Sequence, residues 1–180
     1  MRPAQPLGSP PPSSGGSAMP DSVFFALTLA SAVSAGLMAG IYFAFSSMVM
    51  PGLRRLQPGE AVRSMQAINA AVINPWFLTA FLGSAVLSLV SVVLAFVRWG
   101  EEEAIYLLIA GLLLVFGSLG LTRGYHIPRN NALALVDPDA PEAKERWETY
   151  DAEWTSWNHI RAVASLASAI LFAAGLAAVE

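Results

Sequence analysis

Four stretches of the chain carry no charged residue: between Asp21 and Arg54, Arg63 and Arg98, Glu103 and Arg123, and Arg161 and Glu180. A helix needs roughly 20 apolar residues to cross the hydrocarbon core of a bilayer. The last two stretches are near that minimum. The first two are longer and must include interfacial turns. The pattern predicts four membrane-crossing helices. Pro51 is expected to close the first. Asn74-Pro75 is expected to open the second, with Asn74 as N-cap and Pro75 at the first helical position. Trp76 and Trp99 stand near its two ends, where interfacial anchors belong. Small residues recur within the spans as Ala32-Gly36-Gly40-Ala44, Ser84-Ser88-Ser91-Ala95 and Gly117-Gly120-Gly124. Such ridges let helices approach closely in lipid, which predicts that they seal one bundle. Gly36 and Gly40 also form a Gly-x-x-x-Gly, so a homodimer face there is the alternative reading.

The polar positions gather just before the fourth span, in Trp147 to Arg161, a stretch with neither Gly nor Pro. At about 100° per residue, Trp147, Asp151, Trp154, Asn158 and Arg161 fall on one side of a helix. Glu145, Glu148, Ala152, Ser156 and His159 fall on the other. The first ridge is predicted to continue as Ser165, Ala169, Ala173 and Ala177. One helix with a polar-aromatic head and a closely packing foot results.

Composition sharpens this picture. The 180 residues are 55% hydrophobic and 13% charged, with mean hydropathy +0.54. Soluble domains carry about 25% charged residues, so a lipid-bilayer protein is predicted. The fold class is all-α: a membrane four-helix bundle with short interfacial helices in loops one and three. A net charge of −3 argues against a nucleic-acid partner. The absence of cysteine excludes disulfides and thiolate chemistry. Eight of the ten Lys and Arg residues flank loops one and three. That bias predicts a plasma (inner) membrane protein with these loops cytoplasmic and both termini outside. Residues 1–20, rich in Pro, Ser and Gly, predict a disordered leader ahead of a domain over 21–180. Translation from Met1 or from Met19 both fit. Ala30-Ser-Ala32 resembles a signal-peptidase site, but the apolar run continues past it, so an uncleaved span is expected.

Loop one is predicted to hold a helix from about Pro58 to Ile73, with Val62, Met65, Asn69 and Ile73 on its apolar side and Gln66 at the edge. In loop three, Pro128 to Leu133 reads as a turn. Asp139 and Glu142 match a capping box that would start the Trp-rich helix near Ala140.

Three segments together resemble one family. Gly36-Leu-Met-Ala-Gly-Ile-Tyr-Phe-Ala-Phe-Ser46 with Val49-Met-Pro51, Pro128-x-Asn130-Asn131-x-Leu133, and Trp154-x-x-Trp157-Asn158-His159-x-Arg161 resemble the characteristic stretches of the anthrone oxygenase-like family. The resemblance runs from about Asp21 to Val179. It implies a small four-helix integral membrane protein. Fungal members oxidise an anthrone to an anthraquinone with molecular oxygen, so oxygen is the implied co-substrate. No metal or organic cofactor is established as a requirement in the family.

That implied reaction assigns candidate roles. Oxidation needs loss of a benzylic proton, leaving a phenolate-like anion that reacts with oxygen directly. Arg161 is the candidate oxyanion partner; the alternative is an interfacial Arg snorkelling to headgroups. Asn158, Asn130, Asn131 and Asn69 are candidates to meet carbonyl and phenol oxygens, with capping and loop bracing as the alternative. Trp154 and Trp157 could stack on a flat aromatic substrate or serve as interfacial anchors. Asp151 is the candidate base, or else an ion-pair partner for a loop Arg. His126 and His159 have the right chemistry for proton transfer, but two histidines without ligand-spaced carboxylates make no metal site. Two function classes stand: a cofactor-independent oxygenase, and a non-catalytic membrane protein binding a lipid, a quinone or a partner subunit. A transporter is disfavoured, because no charged residue lies deep in a span and no inverted repeat is visible.

Overall fold

A computed structural model of the chain describes residues 20–179, so the leader expected over 1–20 lies almost wholly outside the described residues. Every regular element is helical. They are α1 (Asp21–Ala44), a π-helical turn (Phe45–Val49), α2 (Met50–Leu53), α3 (Pro58–Ala71), α4 (Pro75–Val97), α5 (Glu103–Leu114), two further π turns (Val115–Gly120 and Thr122–His126), α6 (Ile127–Ala134) and α7 (Ala143–Ala177). Four continuous helical runs are long and apolar enough to cross a membrane: Ser22–Leu53, Pro75–Val97, Glu103–Ala134 and Ala143–Ala177. The protein is a multi-pass membrane protein.

Pro51 closes the first span nearly as expected, two residues before its end at Leu53, while the third span runs on past Arg123, where its charge-free stretch stops. Pro51 lies inside the first helical run and Pro128 inside the third. A proline lacks an N–H and its ring crowds the carbonyl four residues earlier. Ser47 and Gly124, the residues at i−4, both lie in π turns. The widened turn relieves the contact that would otherwise break the helix. Pro128 to Leu133 is therefore helix, not a turn.

The packing follows the small polar residues closely in one span. Ser84, Ser88, Ser91 and Ala95 are all buried, and Ser91 shares a 3.1 Å hydrogen bond with Ser31 of α1. The first span departs from expectation. Its inward side is Phe24, Thr28, Ser31, Ala35, Met38 and Tyr42, whereas Gly36 and Gly40 face outward with nothing near their Cβ positions. That ridge does not seal the bundle. The foot of α7 also turns. Buried positions run Arg161, Ser165, Ser168, Phe172 and Gly175, while Ala173 and Ala177 are exposed. Steps of four alone advance 400° and drift around the helix; alternating steps of four and three hold one seam.

Gly111 marks the closest approach of α4 and α5. A Cβ there would meet Val92 Cγ2 at 2.7 Å and the Ser88 carbonyl oxygen at 2.8 Å. Backbone cannot move aside as a side chain can. Gly111→Ala is expected to lower stability by about 1–3 kcal/mol, read as a lower midpoint in a detergent thermal melt. An unchanged midpoint would mean that the two helices slide apart freely.

At the polar end, loops one and three share one face of the bundle. Arg54 binds Asp151, Arg63 binds Asp139, and Arg129 binds Glu153. Gln66 donates to the Leu133 and Val136 carbonyls at 2.9 Å each, capping the end of α6. Val62 and Met65 are buried as expected, but Ile73 is 74% exposed. It follows the end of α3 and cannot share that helix's packed side. Asn74 caps α4, accepting from the Phe77 N–H at 3.0 Å. The capping box at Asp139 and Glu142 does not form. Asp139 is taken by Arg63, Asp137 accepts the Asp139 N–H at 3.0 Å, and α7 starts at Ala143 without a side-chain cap.

Candidate functional site

The head of α7 turns inward as its spacing predicts. Trp147, Trp154, Asn158 and Arg161 are buried, and Glu145, Glu148, Ala152, Ser156 and His159 are exposed. The inward residues meet the two π turns that flank them. Asn158, fully buried, donates to the Tyr42 carbonyl and the Ser46 hydroxyl at 2.7 Å each. Its own oxygen accepts from Arg161 Nη2 at 2.5 Å. Arg161 Nη1 donates to Thr122 Oγ1 at 3.1 Å. One turn of α7 thus ties α1 to the widened part of the third span.

Arg161 is 5% exposed and does not snorkel. Its guanidinium lies over the Tyr42 ring at 4.3 Å and 5.2 Å from the Trp154 ring. Among the described residues it forms no ion pair, and its Nε has no hydrogen-bond partner. A buried guanidinium without a carboxylate is costly unless something else answers its charge.

Beside Arg161 lies a cavity of about 550 Å³ between α1, α3, the start of α4, the third span, α6 and α7. Its wall is largely apolar, with Ile41, Phe45, Phe77 and Phe81 in it, and exposed Ile73, Leu78 and Ile127 belong to its lining. Polar groups reach it at few points. Asn69, Asn130, Asn131, His126, Trp154 and Arg161 all line it. A space of this size suits a drug-sized molecule held by apolar contacts and oriented by a few polar ones.

The candidate residues divide on this geometry. Trp154 lines the cavity, its indole N–H fixed by Asn130 Oδ1 at 3.0 Å; the same oxygen accepts from Tyr150 at 2.9 Å. Asn69 lines it with a buried, unpartnered Nδ2. Asn131 is exposed where it meets the cavity. Asn158 lies behind Arg161 and holds it. Trp157 does not line the cavity; it packs on Tyr125 at 4.5 Å. Asp151 does not line it either. Arg54 grips both its oxygens, at 2.6 and 3.0 Å, and Thr155 adds a third bond at 3.1 Å. Those hydrogen bonds, with the charge of Asp151, raise the Arg54 pKa above its ordinary value. Asp151 is therefore an ion-pair residue in this geometry.

The sequence marks His126 only for its proton-transfer chemistry, and the structure brings it inside. It ends the second π turn of the third span, is 1% exposed, and stands edge-on to Trp154 at 5.0 Å. Its place was hidden because the third span was expected to stop at Arg123. Only the continued helix carries His126 back to the cavity.

No curated protein and no solved structure matches the chain. A family model described as anthrone oxygenase matches residues 76–171, more than half of the chain, taking in α4, the third span and most of α7 but neither α1 nor α3; the chain belongs to that family.

Proposed function

We propose that this protein is a membrane oxygenase that oxidises a flat phenolic substrate, of anthrone-, polyphenol- or quinone-like type, with molecular oxygen and without a resident cofactor. The observation that carries the reading is Arg161: a buried guanidinium without an ion pair among the described residues, one N–H unpartnered, beside an apolar cavity. An anionic oxygen on a flat ring would answer that charge. Losing a benzylic proton to a base spreads negative charge onto the ring oxygens, and a fixed cation there stabilises the anion more than its neutral parent. The anion then reacts with oxygen directly, so the chemistry asks for no electron-carrying group. The Arg-rich end that holds the cavity faces the cytoplasm in this reading, in the plasma (inner) membrane.

A non-catalytic binder of lipid or quinone is the second reading. The full engagement of Asn158 and the outward Gly36–Gly40 ridge favour it. The open cavity beside an incompletely bonded Arg161 favours the first.

Purified protein in detergent, given a simple anthrone, is expected to consume oxygen and form anthraquinone well above the rate in buffer. Arg161→Ala is expected to lower that excess rate by about 100-fold or more. A wild-type rate equal to buffer would remove this substrate class and leave the binding reading in its place.

A further inference from the structure

We propose that His126 is the proton-transferring residue of the cavity, taking the substrate's benzylic proton while Arg161 holds the resulting anion. The proposal rests on the oxygenase reading and supplies the base that reading lacks. Among the lining residues only Tyr42, His126 and Arg161 titrate. Tyr42 hydroxyl is engaged with Ser118 at 2.8 Å, and a guanidinium offers donors only. Imidazole alone of the three accepts a proton there. His126 is also free to do so. Among the described residues neither Nδ1 nor Nε2 makes a well-formed hydrogen bond, although the ring is buried and the Trp157 backbone interacts with it. Buried imidazoles without partners are rare, because each unpaired polar atom forfeits its bond to water. His126 lines the cavity with Arg161, whose Nε is unpartnered, and with Asn69, whose Nδ2 is unpartnered. Three lining side chains with a buried nitrogen left over point to a ligand that carries acceptors and a removable proton.

The proton and electron count closes with one histidine and one oxygen molecule. His126 takes a proton from the ring CH₂, and the C–H electron pair stays on the substrate as the anion facing Arg161. The anion adds to oxygen, forming a C–O bond. The imidazolium returns its proton to the outer oxygen, giving a hydroperoxide. His126 then takes the second proton from the same carbon. The C=O bond forms as the O–O bond breaks, and the departing hydroxide receives that proton as water. The carbon is oxidised from CH₂ to C=O, oxygen is reduced to one carbonyl oxygen and one water, and His126 ends as it began.

The first proton step can be read without oxygen. Under anaerobic conditions in D₂O, wild-type protein is expected to speed deuterium exchange at the anthrone CH₂ above the buffer rate, followed by mass spectrometry. His126→Gln is expected to lower that excess by about 100-fold or more while binding a hydroxyanthraquinone within about threefold of wild type. Exchange equal to wild type in His126→Gln overturns the assignment and leaves the oxygenase reading standing. Oxidation by wild type without anaerobic exchange overturns it too. A wild type that accelerates neither exchange nor oxidation removes the oxygenase reading and this proposal with it. Should His126→Gln fail to fold, the test moves to His159→Gln. His159 is exposed, and the chain has two histidines. In ¹⁵N-histidine-labelled His159→Gln protein the one remaining imidazole is expected to shift on adding hydroxyanthraquinone; an unmoved signal overturns the proposal.

Discussion

Arg161→Met is expected to separate function from stability: hydroxyanthraquinone affinity falls by about 100-fold or more, while the thermal midpoint in detergent barely moves. The sign follows from what Arg161 touches. Removing one member of a buried ion pair usually costs about 3–5 kcal/mol, because the partner is left charged and dry. Arg161 has no such partner among the described residues. Its replacement relieves the desolvation of a lone cation. It leaves Asn158 Oδ1 and Thr122 Oγ1 without their donor. Thr122 is only half-buried, so the cost is chiefly the one fully buried acceptor, about 1–3 kcal/mol, and relieving the charge is worth a similar amount. The two offset to within roughly 1 kcal/mol. Isothermal titration and a thermal melt on the same preparation check both halves. A large fall in the midpoint with affinity intact would make Arg161 a strut of the bundle and not a ligand for anions.

What the sequence disclosed and what it hid follow from the same physics. Charge-free runs and the N-cap at Asn74 mark the spans because desolvating charge and unpaired N–H groups is costly everywhere in lipid. The inward face of α7 was legible because Trp147, Trp154, Asn158 and Arg161 keep helical spacing. The π turns were not. Widening one turn changes no residue's hydropathy, so the third span reads as ending at Arg123 and Pro128 as part of a turn, when the helix continues through both. That misplacement put His126 outside the bundle. Asp151 shows the other limit. Helical spacing placed it on the correct face, but one helical turn separates the cavity from the rim, and only the position of Arg54 decides that Asp151 belongs to the rim. The Gly36–Gly40 ridge likewise has the pattern of a contact, but which face of α1 turns inward is set by Ser31 meeting Ser91 and Tyr42 meeting Ser118.

Asn158→Ala is expected to do the reverse of Arg161→Met and cost on the order of 3 kcal/mol of stability. Its amide joins α1, the first π turn and Arg161. It donates to the Tyr42 carbonyl of α1 and the Ser46 hydroxyl of the π turn, and it accepts from Arg161. The Tyr42 carbonyl lies three residues before the π turn and also meets the Phe45 N–H, but its second acceptor site faces a dry helix interface where no water substitutes. Alanine leaves the Tyr42 oxygen, the Ser46 hydroxyl and Arg161 Nη2 each short of a partner at once. Losses in one connected network exceed those of separate pairs. An SDS-unfolding titration reads the stability, and the anthrone rate reads the consequence for Arg161. With its brace gone the guanidinium should wander, and turnover should fall by roughly tenfold, less than when the charge itself is removed. Asn158→Ala unfolding at the wild-type midpoint would mean that the π turn satisfies its own carbonyl. Asn158 would then have no claim as the residue that aims Arg161.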